Sequence, residues 1–170
     1  MKEINILIIA LENLIGKGGY AEVYKGCLSN GQSVAVKRLN KGVGEDEVVN
    51  FLTEIGIIAH VNHPNTAKMI GFGVEGGSFL ILQLSSLGSL GSLLQGMFSY
   101  YLLIIYAGSK EKLDWSKRYK IIVGTAQGLL YLHEHCERRI IHRDIKADNI
   151  LLSEDFEPQV PAFYFSIFRK

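Results

Sequence analysis

The sequence predicts an α+β fold, in which a five-stranded antiparallel sheet carries one helix and is followed by a mainly helical part. Three patterns within the 170 residues support this fold class. Apolar and polar residues alternate with period 2 over 22–26, which is typical of a strand, and the largely apolar segment 33–37 is predicted as the next strand. Apolar residues at helical spacing follow in 46–60, and a second helical pattern extends from Trp115 to about His135.

Turn residues delimit the first three strands. Asn13 begins a short apolar stretch that enters a glycine-rich turn, after which segments 22–26 and 33–37 form two more strands. The dipeptide Asn30-Gly31 lies between those segments, and both residue types tolerate the positive φ of a two-residue hairpin turn. We therefore expect three antiparallel strands between Asn13 and Lys37.

One helix and two further strands complete the sheet. The helix is predicted over 46–60. Pro64 prevents it from continuing, because the residue before a proline avoids the helical region. Its apolar face consists of residues at i, i+4 and i+7, namely Phe51, Ile55 and Ile58. Two apolar segments, 69–74 and 78–84, are the predicted fourth and fifth strands.

A long helix is predicted after the sheet. Asp114 is its expected N-cap, because an aspartate side chain accepts a backbone N–H at a helix start. The stripe that we expect this helix to bury consists of Ile122, Ala126, Leu129 and Leu130. Residues 85–96, rich in Ser, Gly and Leu, are predicted to form a hinge into a short helix, and 139–152 a polar loop between two apolar segments.

Composition and charge exclude several function classes. The net charge is +1 and the basic residues are scattered, which gives no basis for a nucleic-acid partner. Two cysteines far apart in sequence, Cys27 and Cys136, predict free thiols in a reducing compartment and hence a cytoplasmic location. The apolar runs 6–11 and 97–107 are shorter than the roughly 20 residues of a spanning helix, so we predict no membrane span.

A glycine-rich turn lies between the first two strands, in the pattern Gly16-x-Gly18-x-x-Ala21-x-Val23. Taken alone, such a turn fits a tight hairpin as well as a phosphate-binding loop. In a phosphate-binding loop, backbone N–H groups approach phosphate oxygens where a Cβ atom would obstruct them. Ala21 stands where that pattern usually has its third glycine, and alanine adds only a methyl group.

Lys37 closes the third strand and is flanked by apolar residues. A lysine in this setting is often a surface residue whose stem covers apolar groups. Glu54, on the following helix beside its apolar face, indicates another role. A Lys–Glu pair between strand and helix would hold the ammonium group at the phosphates of a nucleotide.

The most specific pattern is the eight-residue segment His142–Asn149, which reads HRDIKADN. It concentrates titratable side chains and one amide between apolar segments, which an ordinary polar surface loop rarely does. Asp144 can accept the proton of a substrate hydroxyl, and Lys146 can neutralise charge on a moving phosphoryl group. Asn149 can supply a hard oxygen ligand for Mg²⁺.

In this order, these patterns resemble a eukaryotic protein kinase domain. The resemblance extends from about Asn13 to Gln159 and is greatest to plant receptor-like cytoplasmic kinases, with Lys146 placed as in the serine/threonine class. It implies a protein-kinase-like fold with an incomplete helical C-lobe. It also implies an ATP:protein phosphotransferase that uses ATP and Mg²⁺ and acts on a protein Ser/Thr hydroxyl.

The resemblance assigns roles to individual residues. Asp144 and Lys146 are then catalytic and Asn149 is a metal ligand, while Leu82 lies behind the adenine. The residues implied in ATP binding are Ile15, Gly16, Lys17, Gly18, Gly19, Val23, Ala35, Lys37, Glu54, Gln83 and Ser85. Of these, Gln83 and Ser85 would bind the adenine edge through their backbone.

Three segments depart from the resemblance: an atypical lead-in at 1–12, an apolar insert at 97–107 and an atypical tail at 160–170. We hypothesise that they are retained intron sequence, which sequencing of the transcript tests. The expected domains are an N-lobe at 13–84 and, at 85–159, the hinge, the long helix and the catalytic loop.

The tail also changes the family's next motif. In the register of the resemblance, Ala162 replaces the metal-binding aspartate of Asp-Phe-Gly, and Tyr164 replaces its glycine. The resemblance thus implies a fragment that lacks this motif, the activation loop and most of the C-lobe.

Two alternative functions stay open. A non-catalytic fragment that binds nucleotide weakly, or that only binds partners, fits the replaced Asp-Phe-Gly motif. A Rossmann-type dinucleotide enzyme would need a helix directly after the glycines, whereas a strand follows here. The sequence favours the kinase family and leaves the activity of this chain open.

Overall fold

The computed structural model describes residues 14–17, 21–39, 45–74, 77–95 and 113–162, except the side chains of 45–48, 50 and 54. The helices and longer strands include, in chain order, β1 Leu14–Lys17, β2 Ala21–Cys27, β3 Ser33–Leu39, α1 Glu45–Ile58, β4 Met69–Gly73, β5 Phe79–Gln83 and α2 Trp115–Leu130. Residues 90–95 are also helical. A π-helical turn, Tyr131–His135, and a 3₁₀ turn, Ala147–Asn149, precede the short strands β6 Leu151–Leu152 and β7 Pro158–Gln159.

Strands β1 to β5 form one antiparallel sheet in the order β1-β2-β3-β5-β4. The turn between β2 and β3 has Gly31 at φ 83°, and its N–H donates to the Leu28 carbonyl at 2.9 Å. This conformation is one that glycine adopts without strain, as expected for the Asn-Gly pair. The predicted five-stranded antiparallel sheet is therefore confirmed.

The sheet buries one face in a compact apolar cluster. Alternate residues of the central strands point to this face because the side-chain period of a strand is 2. The cluster consists of Tyr24, Val34, Val36, Phe79 and Ile81, with Leu28 and Ile70 packed against it. The predicted apolar face of α1 is also confirmed, because Phe51, Ile55 and Ile58 are all buried.

The described residues fall into two compact units. The first comprises residues up to Val61 together with Lys68–Leu84, and the second comprises Asn62–Ala67 together with residues from Ser85 onward. Segments 1–12 and 97–107 lie outside the described residues, as does 160–170 apart from its first three positions. Among the helices that the structure describes, none is both long and apolar enough to cross a bilayer.

Helix α2 begins as predicted. Asp114 has extended backbone angles, and its carboxylate accepts the Lys117 N–H at 2.9 Å. A side-chain acceptor at this position satisfies one of the backbone donors that a helix start leaves without a partner. The helix continues through Tyr131 into the π-helical turn, so the helical segment reaches His135 as expected.

The predicted buried stripe of α2 is wrong. Ile122 is 61% exposed and Leu130 is 54% exposed, whereas Ile121, Gly124 and Gly128 are buried. Ala126 is exposed and Leu129 half-buried. The helix packs through its glycines because these let neighbouring backbone approach closely.

Two neighbours occupy this glycine face, the loop Asn62–Ala67 and the β6–β7 hairpin. A Cβ added at Gly124 would lie 2.6 Å from Pro158 Cγ, and one added at Gly128 would overlap the Asn65 carbonyl oxygen. Asn65 is 4% exposed and its amide donates to the Pro158 carbonyl at 3.1 Å. The Val160 N–H donates to the Asn65 carbonyl at 2.9 Å, so this loop is hydrogen-bonded into the second unit.

Candidate active site

The sheet places several of the predicted ATP-binding residues side by side. Gly16 lies opposite Val23, which lies opposite Lys37, and Ala35 lies opposite Leu82. Directly opposed residues on neighbouring strands point to the same face of a sheet, and so do every second residues along one strand. One face of this sheet therefore carries Val23, Ala35, Lys37 and Leu82. This is the face opposite the apolar cluster, so the first unit presents the buried Lys37 among small and aliphatic side chains, with the exposed Lys25 opposite Ala35 on the same face.

Lys37 is 7% exposed, although lysine is rarely buried. Burial of an ammonium group is costly unless the group is paired, and Lys37 does have an interaction partner in the structure. The side chain of Glu54 and the residues Gly18 and Gly19 lie outside the described part of the chain, so their predicted roles stay predictions.

Lys17, at the end of β1, forms an ion pair with Glu22, with 3.1 Å between Nζ and Oε1. The Tyr24 hydroxyl donates to the same carboxylate at 2.7 Å. The tyrosine hydrogen bond and then the lysine lower the pKa of Glu22. Glu22 therefore stays ionised near neutral pH and fixes Lys17 against β2 within the described structure.

The residues predicted at the adenine edge lie at the end of β5 and just beyond it. The Gln83 N–H donates to the Lys68 carbonyl at 3.0 Å. The Ser85 hydroxyl donates to the Gln159 side-chain oxygen on β7 at 2.9 Å. Sequence reasoning missed Gln159 because nothing in a single sequence links two polar residues so far apart.

The loop His142–Asn149 has a defined backbone. Arg143 has φ 61°, in the left-handed region that few non-glycine residues adopt. The Asp144 N–H donates to Nδ1 of His142 at 3.3 Å, and His142 is 2% exposed. Asn149 ends a 3₁₀ turn, and its backbone N–H donates to the Lys146 carbonyl at 2.9 Å. His142 thus acts as an internal support for the position of Asp144, a role that the sequence analysis did not assign.

Asp144, Lys146 and Asn149 come together as a group. Nδ2 of Asn149 donates to Oδ2 of Asp144 at 2.8 Å and to its carbonyl oxygen at 2.7 Å. Nζ of Lys146 lies 3.2 Å from the same Oδ2. The Asn149 hydrogen bond, followed by Lys146, holds the pKa of Asp144 below its ordinary value. The Asp144 side chain is about half exposed, so it is an ionised acceptor open to a partner.

Replacing Lys146 by methionine is expected to raise the pKa of Asp144. The hydrogen-bond donor and the positive charge of Lys146 both stabilise the ionised carboxylate, and methionine provides neither. Carbon-detected NMR titration of the aspartate carboxyl groups measures this change. The matched control is Lys120→Met, since Lys120 pairs instead with Glu157 at 2.8 Å and should leave Asp144 unchanged. An Asp144 pKa that does not move in Lys146→Met would contradict the ion pair.

For Mg²⁺, the described residues include Asn149, whose role as a metal ligand stays a prediction. They contain no group of three or more His, Cys, Asp or Glu side chains able to hold a metal. The side chain of Ala162, which the resemblance aligns with a metal-binding aspartate, has no oxygen and is 3% exposed. Magnesium favours several oxygen ligands in near-ideal octahedral geometry, with one or two carboxylates from the protein.

Comparison with known proteins identifies the class of protein that this fold and loop define. The family model for protein tyrosine and serine/threonine kinases matches residues 9–167. The chain belongs to this family.

Particular relatives are close in sequence. The chain is 60% identical over 152 residues to the receptor-like cytosolic serine/threonine-protein kinase RBK2 of Arabidopsis thaliana, which covers 89% of this chain and 31% of that protein. It is 52% identical over 154 residues to RBK1 of the same plant, covering 89% of this chain and 30% of RBK1. The chain thus spans about a third of the length of these relatives.

Two solved structures share the fold. The pseudokinase domain of BIR2, described as an immune regulator of the RLK/Pelle family, is 32% identical with a TM-score of 0.66, over 90% of this chain and 45% of that one. The apo GRMZM2G135359 pseudokinase is 22% identical with a TM-score of 0.73, over 93% of this chain and 58% of that one. The second likeness concerns the fold alone. Together they confirm the predicted kinase-like fold.

Proposed function

We propose that this chain is the nucleotide-binding and catalytic-loop part of a serine/threonine protein kinase domain. The observation that carries the proposal is the group in which Asp144 accepts a hydrogen bond from Asn149 and pairs with Lys146 at 3.2 Å. An ionised carboxylate beside an ammonium group is suited to accept a hydroxyl proton while a phosphoryl group moves nearby. The serine/threonine class and a cytoplasmic location follow the names of RBK2 and RBK1.

Each residue then has a defined part. Lys37 binds the phosphates of ATP, and the turn after β1 supplies backbone N–H groups to them. Val23, Ala35 and Leu82 provide the apolar surface for the adenine, and the backbone of Gln83 and Ser85 binds its edge. Asp144 accepts the proton of a protein Ser or Thr hydroxyl, and Lys146 stabilises the charge that develops on the transferred group.

A second candidate is a non-catalytic domain that binds nucleotide or partners only. Ala162 favours it, because this position carries a buried methyl group in place of a metal-binding carboxylate. The family generally uses ATP with Mg²⁺, and a site without that carboxylate lacks much of the charge stabilisation of phosphoryl transfer. We therefore expect this chain to transfer phosphate more slowly than family members that have the aspartate.

Lys37→Met tests nucleotide binding. ATP should raise the melting temperature of the wild-type chain, and the variant should lose this rise because its side chain has no charge for the phosphates. Lys68→Met is the matched control, since Lys68 directly precedes β4, is exposed, and should keep the full ATP response. Equal responses in wild type and Lys37→Met would contradict the assigned role of Lys37, and no response in the wild type would contradict nucleotide binding altogether.

A further inference from the structure

Helix α2 has two faces of different character. Gly124 and Gly128 are buried against the loop Asn62–Ala67 and the β6–β7 hairpin. Successive residues of an α-helix are separated by about 100°, so Ile122 and Ala126, each two positions before one of these glycines, lie about 200° away from them. Both are exposed. One side of α2 is therefore packed within the second unit, and the opposite side is open in the described part of the chain.

The open side carries a line of apolar side chains, which we call the α2 stripe. Its members follow one another at spacings of three or four residues, and this spacing keeps them on one face of the helix. Trp115 is 74% exposed, Tyr119 62%, Ile122 61% and Leu130 54%, and Ala126 is exposed as well. Single exposed apolar residues are ordinary, but two aromatic and two large aliphatic side chains in one line form a patch typical of an interaction site.

The basic side chains of α2 leave the stripe uncharged. The Lys117 ammonium lies 4.3 Å from the centre of an aromatic ring of the β6–β7 hairpin, and that of Lys120 lies 2.8 Å from a carboxylate oxygen of the same hairpin. Nε of Arg118 donates to the Leu113 carbonyl at 2.8 Å. Residues 121–130 contain no charged side chain. Helix α2 therefore has a basic N-terminal half and an uncharged C-terminal half.

The α2 stripe is nearly symmetric about Ile122. Tyr119 lies three positions before it and Ala126 four positions after it, while Trp115 lies seven before and Leu130 eight after. Two antiparallel copies of α2 with a two-fold axis at Ile122 would place the tyrosine of one copy beside the alanine of the other, so that a large side chain meets a small one. The same arrangement places each basic half beside an uncharged half and opposes the two helix dipoles. A parallel pair would instead bring the basic halves together.

The area of the stripe is sufficient for a weak dimer. A covered aromatic side chain buries about 150–250 Å². Scaled by the exposed fractions, the stripe offers roughly 600 Å² per copy, and two copies would bury about 1,200 Å² in total. Specific interfaces begin at about this size. A dimer formed through the stripe is therefore expected to dissociate in the micromolar range.

We propose that the α2 stripe is the interface of a symmetric dimer of this chain, in which two α2 helices pack antiparallel about Ile122. A second copy supplies a stripe of the same length that is equally free of charge, so no charged group loses its water on association. The interface uses none of the residues assigned to nucleotide binding or proton transfer. It is therefore independent of the proposed function.

Sedimentation equilibrium of the whole chain tests the dimer. The expected result is a monomer–dimer equilibrium with a dissociation constant of about 1–100 μM. The emission of Trp115, the single tryptophan of the sequence, should shift to shorter wavelength as the dimer forms. A chain that stays monomeric at about ten times the upper value, or that forms only larger assemblies, would overturn the inference. A short-wavelength emission that does not depend on concentration would also overturn it, since another part of the same chain would then cover Trp115.

A charge exchange at the axis tests the arrangement. Ile122→Glu and Ile122→Arg each place like charges opposite one another, so each variant alone should dimerise at least about tenfold more weakly than the wild type. An equimolar mixture of the two should dimerise again, because unlike charges then meet. Val49→Glu is the matched control: Val49 is also 61% exposed but lies on α1, and this variant should dimerise like the wild type. Unchanged association of the two Ile122 variants, or a mixture that stays monomeric, would exclude pairing about Ile122.

Discussion

Replacing Gly128 by alanine is expected to destabilise the second unit by about 3 kcal/mol and to lower its melting temperature by about 15 °C. The added Cβ would overlap the Asn65 carbonyl oxygen and would lie 3.2 Å from Val160 Cγ2. The carbonyl oxygen cannot move freely, because it accepts the Val160 N–H at 2.9 Å. Thermal unfolding followed by circular dichroism measures the effect.

Gly56→Ala is the matched control on helix α1. A Cβ at Gly56 would meet no heavy atom within 4 Å. Alanine favours the helical conformation over glycine, so this variant should be more stable by about 0.7 kcal/mol. The change from glycine to alanine should therefore lower the stability at position 128 and raise it at position 56. A Gly128→Ala protein as stable as the wild type would contradict the close approach of α2 and the Asn65 loop.

Replacing Asp144 by asparagine is expected to reduce the initial rate of γ-phosphoryl transfer to a protein substrate by about 100-fold or more. Asparagine keeps the shape of the side chain but cannot take a proton from a hydroxyl. It also removes the negative charge that Lys146 faces at 3.2 Å. Incorporation of radiolabelled γ-phosphate into a generic basic substrate protein measures the rate, in the wild-type background and in Ala162→Asp.

Asp148→Asn is the matched control for this experiment. Asp148 lies in the same loop, is exposed, and belongs to the 3₁₀ turn that ends at Asn149. The charge change is identical, so a general effect of net charge or of loop stability should appear in both variants. Equal rates for Asp144→Asn and the wild type, in both backgrounds, would exclude Asp144 as the base.

The sheet could be predicted from the sequence because local signals agree with the tertiary structure. The strand formers of β3 include Val34 and Val36, which lie on one face and are buried together with Ile81. The Asn-Gly turn fixes the register of β2 against β3, so that Tyr24 lies opposite Val36. The N-cap at Asp114 could be predicted for the same reason, because it depends on a hydrogen bond within the first turn of the helix.

The packing of α2 could not be predicted in the same way. A periodicity argument follows the large apolar residues, and these indicated a stripe through Ile122 and Leu130. The buried side instead contains Gly124 and Gly128, whose importance lies in the missing side chain. Such packing becomes visible only when the backbone that approaches the glycines, here at Asn65, is known.

The candidate site could be predicted in its residue types but only partly in its geometry. The number of titratable and amide side chains in His142–Asn149 identified the loop, because few ordinary surface loops contain so many of them in eight residues. Asn149 donates two hydrogen bonds to Asp144, and His142 accepts one from the Asp144 N–H. This geometry occurs with Arg143 in the left-handed conformation, which no local residue preference predicts.

The loop Asn62–Ala67 lies within the first unit in sequence but belongs to the second unit in space. No single cut of the polypeptide can therefore separate the two units intact. A piece that begins at Ser85 would lose Asn65, whose amide bonds to the Pro158 carbonyl 93 positions away. A piece that begins at Ser85 is therefore expected to be recovered unfolded unless residues 62–67 are fused to it.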